Sequence, residues 1–426
     1  MKPPLLTARR LITADGIVEN PRIAIHADGT IAGIESSVGD SKVAGAKAAG
    51  ADETTLTPAF FDIHVHGAAG HDAMEGTPEA LNSIGRFLAT RGVAHFLATT
   101  VTASIDRILR ALDGIANAID AANQAAKSGA GASDALLAAQ PVGIHLEGPF
   151  LSHARRGVHP AAELQPPTVE LFERLQQAAR GHIRLLTIAP ETPGALDLIA
   201  HATQSGTRVS LGHSDATAAQ TRAAIAAGAA SATHTFNAMR RLDHREPGIA
   251  GVVLDADSLY AELICDGIHV APEFVRLWLR SKGEERAILV TDGISATGMP
   301  DANYLLGELE VTVKNGRCLL TSDLAKGTET LAGSALTMDR AVANLCRFTG
   351  ATLATAVRLA SRNPARMLGL DDLGEIAVGR PANFNLYSAA GELRQTILRG
   401  RVLPSPKDCP PLQSGPVVPI QLRRAL

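Results

Sequence analysis

Two histidines, His64 and His66, flank a single valine in FFDIHVHG (60–67). Side chains at i and i+2 of a β-strand share one face, so both imidazoles can reach the same point. A metal ion would suit such a pair, and so would an ordinary polar strand end; this stretch leaves both readings open. Further residues of the same types follow at intervals. His145 and Glu147 repeat the i, i+2 spacing in GIHLEGPF, His213 stands in LGHSD, and His234 in THTFNA. Asp266 and His269 stand in CDGIH, and Asp292 in LVTDG. A lone histidine at a strand end is usually a satisfied structural residue. Histidine and carboxylate at the ends of several apolar runs point instead to a common centre, because imidazole nitrogen and carboxylate oxygen suit zinc or iron in a hydrolytic site.

Eight short apolar runs must position these groups: AFFDIHVHG, HFLATT, PVGIHLEGPF, IRLLTIAP, RVSLGHSD, SATHTFNA, AELICDGIH and AILVTDG. Most are followed by Ala- and Leu-rich helical text, such as TPEALNSIGRFLATRG after the first and TVELFERLQQAARG after the third. Alternation of this kind predicts parallel β/α units, and eight of them match the count and size of a (β/α)8 TIM barrel. Active sites of such barrels sit at the C-terminal ends of the strands, where the residues above fall.

The fold class is therefore α/β: a (β/α)8 barrel over residues 57–370 with a small β-sandwich made of the terminal segments, 1–56 and 371–426. Each terminal segment carries short β-like runs and is too short for a core of its own. The low-complexity segment KSGAGASDALLAAQ (127–140) reads as a flexible loop before the third strand. NYLLGELEVTVKNGRCLL (303–320) reads as a hairpin turning at Asn315-Gly316.

Composition narrows the function. The chain has 426 residues, 46% of them hydrophobic, and a net charge of −3 with no basic stripe, so nucleic acid is not an expected partner. No apolar stretch is long enough for a membrane helix and the N-terminus shows no signal-peptide pattern, so a cytoplasmic protein without membrane contact is expected. Cys265, Cys318, Cys346 and Cys409 form no CxxC pair and read as reduced thiols.

FFDIHVHG, GIHLEGPFL, SLGHSDA, THTFNAM and LVTDG, in this order, resemble the amidohydrolase superfamily over about residues 56–370, outer β regions included. HLEGPFL, and HTFNAM with a downstream REPGIAG, are similar to the branch that deacetylates N-acetylglucosamine 6-phosphate. The resemblance implies that Glu147, His213 and His234 hold a principal divalent metal, with an open position for water. It implies a second ion at His64 and His66, bridged by Glu147, in members that carry both histidines. One or two ions per subunit are thus expected, with zinc, iron, cobalt and manganese all suited to the donors.

In the same family pattern Asp292 is the general base and then acid, and His159, in RRGVHP, polarises the carbonyl. Arg245 and His269 contact the phosphate, beside Asp266 and the backbone around Asn237 and Ala238. Leu331, Ala332 and Gly333, in ETLAGSAL, face the acetyl group and sugar, and Val158 adjoins His159. Relatives share the phosphate clamp between subunits, which implies a homodimer. From the residues alone, Asp292 could be a helix N-cap, Gly333-Ser334 the N-cap of the following helix, and Arg240, Arg241 and Arg245 a solvated patch. Rival functions are the galactosamine 6-phosphate epimer as substrate, a cyclic-amide hydrolase, and a non-catalytic sugar-phosphate sensor. Strand four, LLTIAPE, has no lysine to bridge two metals, which counts against the cyclic-amide reading.

Overall fold

The computed structural model describes residues 5–36, 54–127 and 137–404. The glycine- and alanine-rich stretch 128–136, most of the expected loop, lies outside the described residues, as do Cys409 and the chain after 404.

Eight parallel strands form one sheet in chain order, and we number them β1 (Phe60–Val65), β2 (Val93–Thr100), β3 (Gln140–Glu147), β4 (Ile183–Ile188), β5 (Arg208–Leu211), β6 (Ser231–Ala232), β7 (Tyr260–Ile264) and β8 (Ala287–Val290). All eight expected runs are strands of this barrel. Strands β1, β2, β4 and β8 are almost wholly buried, which explains their continuous apolar text. Helices follow as the sequence indicates, for example Pro78–Thr90 after β1 and Val169–Ala178 after β3. Threonine side chains cap both N-termini, Thr77 accepting from the Ala80 N–H and Thr168 from the Leu171 N–H.

The ring closes between β8 and β1 just beyond the strands. Val65 bridges Gly293, and the Asp292 N–H donates to the His64 carbonyl at 2.9 Å. Lower down, the Asp62 carboxylate accepts from the Thr291 hydroxyl at 2.5 Å and from the Thr291 N–H at 3.3 Å.

The terminal segments form two sheets, as the sequence implied. Leu5–Thr7, Pro21–Ile25 and Ile31–Ser36 make a three-stranded sheet. Arg10–Thr13, Gly16–Glu19 and Thr55–Pro58 join Phe384–Tyr387, Leu393–Leu398 and Arg401–Val402 in a six-stranded one. Their facing side chains share a core that includes Leu11, Ile23, Ile31, Leu56, Phe384 and Ile397, separate from the barrel core. The segment after β8 is a three-stranded meander, Asn303–Leu306, Leu309–Lys314 and Arg317–Leu320, rather than a single hairpin. Asn315 and Gly316 make the expected turn, both with positive φ. The additional turn is at Gly307, whose N–H donates to Asp72 at 2.7 Å.

Candidate metal centre and active site

Three of the expected site residues share one local geometry. His213, His234 and Asp292 each stand two residues past the last residue of β5, β6 and β8. Each has a left-handed backbone, with φ of 48°, 28° and 52°. Non-glycine residues in this region are uncommon and strained, and such strain gathers at functional sites. It turns each side chain inward at the rim. His64 and Glu147 stand on β1 and β3 themselves, and His66 is one residue beyond β1. No helix starts at Asp292, so its N-cap alternative falls away.

Glu147 is the centre of the cluster. Its Oε1 lies 3.2 Å from both His213 Nε2 and His234 Nε2. Its Oε2 lies 3.1 Å from His66 Nε2 and 3.5 Å from His64 Nε2. The nitrogens also face each other, at 3.0 Å for His213–His234 and 3.3 Å for His64–His66. Asp292 Oδ1 is 3.3 Å from the Nε2 atoms of both His64 and His66. Two donor triads result, Glu147–His213–His234 and His64–His66–Asp292, all six residues buried. Two ligands about 2.0–2.1 Å from a tetrahedral cation stand roughly 3.4 Å apart, so this crowding of nitrogen and oxygen fits a bound ion.

The protonation of the cluster agrees with that fit. Burial disfavours charge on His64, yet Glu147 and Asp292 outweigh it and hold its pKa well above the ordinary histidine value. His66 is pushed up to about 9 by the same two carboxylates, against burial. Burial would raise the Glu147 and Asp292 carboxyls, but His64 and its histidine neighbours pull both down. Without a cation the carboxylates draw protons onto the imidazoles, so positive charge belongs at this place.

Nδ1 contacts decide which nitrogen can ligate. His213 Nδ1 donates to the Arg155 carbonyl at 3.0 Å, leaving Nε2 as the free donor atom. His64 Nδ1 lies 3.3 Å from Glu262 Oε2. His66 Nδ1 and His234 Nδ1 have no partner among the described residues. His145 packs edge-on against His64, with ring centroids 4.5 Å apart, but joins neither triad; its Nε2 is 2.7 Å from the Thr187 hydroxyl, in a chain that continues to Thr233 and Ser210.

His159 reaches the same mouth from its loop. Its Nδ1 is 2.7 Å from Thr102 Oγ1 and accepts the Thr102 backbone N–H at 3.3 Å. A backbone N–H can only donate, so Nδ1 is unprotonated and Nε2 carries the hydrogen. Burial and the neighbouring His213 push the His159 pKa well down, which keeps the ring neutral. Nε2–H therefore points into the cluster, 3.7 Å from Glu147 Oε2. Thr102 is itself pressed against Gly148, where a Cβ would stand 2.0 Å from its Oγ1.

A profile of the amidohydrolase family matches residues 55–403. This chain belongs to the amidohydrolase family. It is similar to an N-acetylgalactosamine-6-phosphate deacetylase of Escherichia coli O157:H7, with 37% identity over 93% of this chain and 98% of the relative. It is similar to an N-acetylglucosamine-6-phosphate deacetylase of Bacillus subtilis (strain 168), with 36% identity over 92% of this chain and 95% of the relative. A solved structure of an N-acetyl-D-glucosamine-6-phosphate deacetylase variant from Mycobacterium smegmatis, in complex with N-acetyl-D-glucosamine-6-phosphate, superposes with a TM-score of 0.83 at 33% identity, covering 94% of this chain and 99% of that one.

The remaining expected site residues of this amidohydrolase lie around the rim. Asn237 donates through Nδ2 to the His234 carbonyl at 3.2 Å, and Ala238 has a left-handed φ of 48°. His269 Nδ1 is held 2.7 Å from Asp266 Oδ2, which leaves Nε2 for other contacts. Val158 is buried beside His159. Leu331, Ala332 and Gly333 lead into a parallel bridge between Ser334 and Gly293, with the Ser334 N–H on the Asp292 carbonyl at 2.8 Å. A Cβ on Gly333 would meet Ile294 Cγ2 at 2.3 Å, so this approach needs glycine. The expected N-cap at Gly333-Ser334 is not observed: the helix is Met338–Thr349 with Thr337 at its N-cap, and Ser334 instead binds the Thr291 carbonyl at 2.6 Å.

Arg245 is exposed and its guanidinium makes no ion pair among the described residues; the cluster geometry does not include it. Arg240 is tied to Asp215 at 2.9 Å, together with Arg155 at 2.8 Å, so it braces the loop that carries His213. Sequence reasoning missed Glu262, Thr102 and Asp62. The one signal for Glu262 and Asp62 was a carboxylate inside an apolar strand, in AELI and FFDI.

Proposed function

We propose that this chain is a metal-dependent amide hydrolase that converts N-acetylglucosamine 6-phosphate and water into glucosamine 6-phosphate and acetate. The observation that carries the reading is the meeting of Glu147, His213 and His234 with Asp292 and His159 at one barrel mouth. Glu147, His213 and His234 would hold the principal ion, and His64 and His66 a second. The donors suit zinc, iron, cobalt or manganese. A divalent ion bound here supplies Lewis acidity to the acetamide carbonyl and acidifies water.

The chain's own residues do the rest. Asp292 is ionised, because His64 and His66 outweigh its burial, so it can accept the proton of the attacking water. Its contacts to both histidines run through Oδ1, which leaves Oδ2 to take up that proton. The same proton then passes to the departing nitrogen, since an amine leaves poorly without it. His159 Nε2–H donates to the carbonyl oxygen as negative charge develops there. Being neutral, His159 loses no proton when it does so. Asp292, in contact with His64 and His66, stands beside a complete set of principal ligands, which disfavours a non-catalytic sensor.

Arg245 and His269 would bind the phosphate, with the backbone N–H of Ala238 beside Asn237, whose own N–H donates to the His234 carbonyl at 3.0 Å, and Leu331, Ala332, Gly333 and Val158 would face the acetamide and sugar. Arginine suits phosphate through its planar pair of donors. A homodimer sharing this clamp is supported by exposed apolar residues in the chain segments that carry Arg245 and His269: Leu242, Ile268, Phe274 and Leu277. We assign the described residues of 57–370 to the catalytic barrel, and those of 1–56 and 371–426 to the sandwich, with Thr57 and Pro58 completing the sandwich strand Thr55–Pro58. No described helix is long and apolar enough to cross a membrane, and Cys265, Cys318 and Cys346 are free thiols, which supports a cytoplasmic location.

Acetate release by the purified, metal-loaded protein tests the proposal, with N-acetylglucosamine 6-phosphate, its galactosamine epimer and free N-acetylglucosamine as substrates. Acetate from the first substrate in preference to the other two is expected. Binding of the sugar phosphates with no acetate from either would end the enzyme reading, and preference for the epimer would reassign the substrate.

A further inference from the structure

Glu262 stands in the middle of β7, wholly buried, with its side chain turned into the barrel. Buried carboxylates are strongly disfavoured unless something compensates their charge. The contacts of Glu262 are few. Oε2 lies 3.3 Å from His64 Nδ1 and accepts the His234 backbone N–H at a long 3.4 Å, while Oε1 has no partner among the described residues. A glutamine would fill the same space and accept the same N–H at much lower cost. What glutamine lacks is a negative charge for the imidazole.

The two donor triads differ in how their histidines are held. In Glu147–His213–His234 the Arg155 carbonyl holds His213 Nδ1. In His64–His66–Asp292 the corresponding partner is the Glu262 carboxylate, because His66 Nδ1 has none. Each triad thus has one histidine whose Nδ1–H is engaged, so that its Nε2 lone pair points at the other donors. A carboxylate partner also makes that imidazole a stronger donor than a carbonyl does.

We propose that Glu262 is a positioning residue that fixes the Nδ1–H tautomer of His64 and so sets how tightly the His64–His66–Asp292 triad holds a divalent cation. Glu262 touches neither ion nor substrate and acts through His64. The inference rests on the metal-dependent reading above and adds to it a residue that tunes the His64 side of the centre.

Cation binding tests this apart from turnover. Wild-type protein stripped with a chelator and titrated with Co2+ or Zn2+ is expected to take up two ions per chain in a tighter and a weaker event, counted by elemental analysis after equilibrium dialysis. Glu262→Gln is expected to weaken one event about 10–100-fold and leave the other within about twofold. His64→Gln should abolish the same event, and the double variant should lose nothing further, as a pair acting in series requires. A general loosening of the barrel would weaken both events, since Glu262 also touches the His234 backbone. Equal weakening of both events, no weakening of either, additive loss in the double variant, or uptake of a single ion by wild type would each overturn the proposal. Nitrogen-15 spectra of the wild-type imidazoles give a second reading that needs no variant: His64 protonated at Nδ1 in the loaded protein supports it, and protonation at Nε2 refutes it. Acetate release separates the two readings. Active protein with no Glu262 effect leaves the deacetylase reading in place, and two coupled ions without acetate would leave this inference and remove that one.

Discussion

The backbone N–H of Asp292 donates to the carbonyl of His64 at 2.9 Å. Barrel closure and assembly of the reactive cluster are therefore one contact. The first and last strands must meet before the acid–base carboxylate comes within 3.3 Å of His64 and His66.

The proton-transfer role of Asp292 predicts that Asp292→Asn retains the ion of Glu147, His213 and His234. Acetate release should fall by about 10²-fold or more, because both proton transfers use the one carboxylate. Elemental analysis together with acetate assay checks this. A variant with near-normal turnover would exclude the role.

His159 is held as a neutral donor by Thr102. His159→Ala should lower kcat about 10²–10³-fold with a smaller change in KM, the pattern for a donor that acts on developing charge. Thr102→Val keeps the backbone N–H that selects the tautomer and loses only the hydroxyl, so its drop should be markedly smaller. Steady-state kinetics on both variants decides, and equal losses would mean that the hydroxyl is what selects the tautomer.

Asp62, buried between β1 and β8, carries a pH signature. Burial raises its pKa from 3.8 to about 7, despite hydrogen bonds from Thr291 and the His64 N–H that favour the ionised form. The folded chain thus holds a proton that the unfolded chain releases near pH 4. The stability from this group is full below about pH 4 and is lost as pH rises through about 7, by about 4 kcal/mol at most. Asp62→Asn removes the titrating group and keeps an oxygen to accept from the Thr291 and His64 backbone N–H groups. Thermal unfolding of metal-free protein from pH 4 to 8 should show a flatter profile for the variant. Parallel profiles would remove Asp62 as the source.

Arg245→Ala should weaken handling of the phosphorylated sugar far more than of free N-acetylglucosamine. The comparison of kcat/KM on the two substrates measures it directly. Equal losses on both would argue that Arg245 serves the loop and not the phosphate.

Much of this arrangement was legible before any coordinates. Periodicity located eight barrel strands, side-chain chemistry at their ends marked a wider set of histidines and carboxylates, and the family resemblance singled out Glu147, His213, His234 and Asp292 among them. Those residues announce themselves because histidine and carboxylate are out of place at the end of an apolar run. Glu262, Asp62 and Thr102 did not announce a role. Their partners are 198, 229 and 57 positions away in the chain.

A local pattern states which face a side chain takes and nothing about which distant residue stands opposite. The amino-acid order thus established the strands, the donor types and their common end of the barrel. Only the closed barrel decided that Glu147 gives one oxygen to each triad, that Thr102 selects the His159 tautomer, and that Ser334 binds Thr291 just past β8 rather than capping a helix. Such pairings are set by strand register, closure and packing across the barrel, which are properties of the whole chain at once.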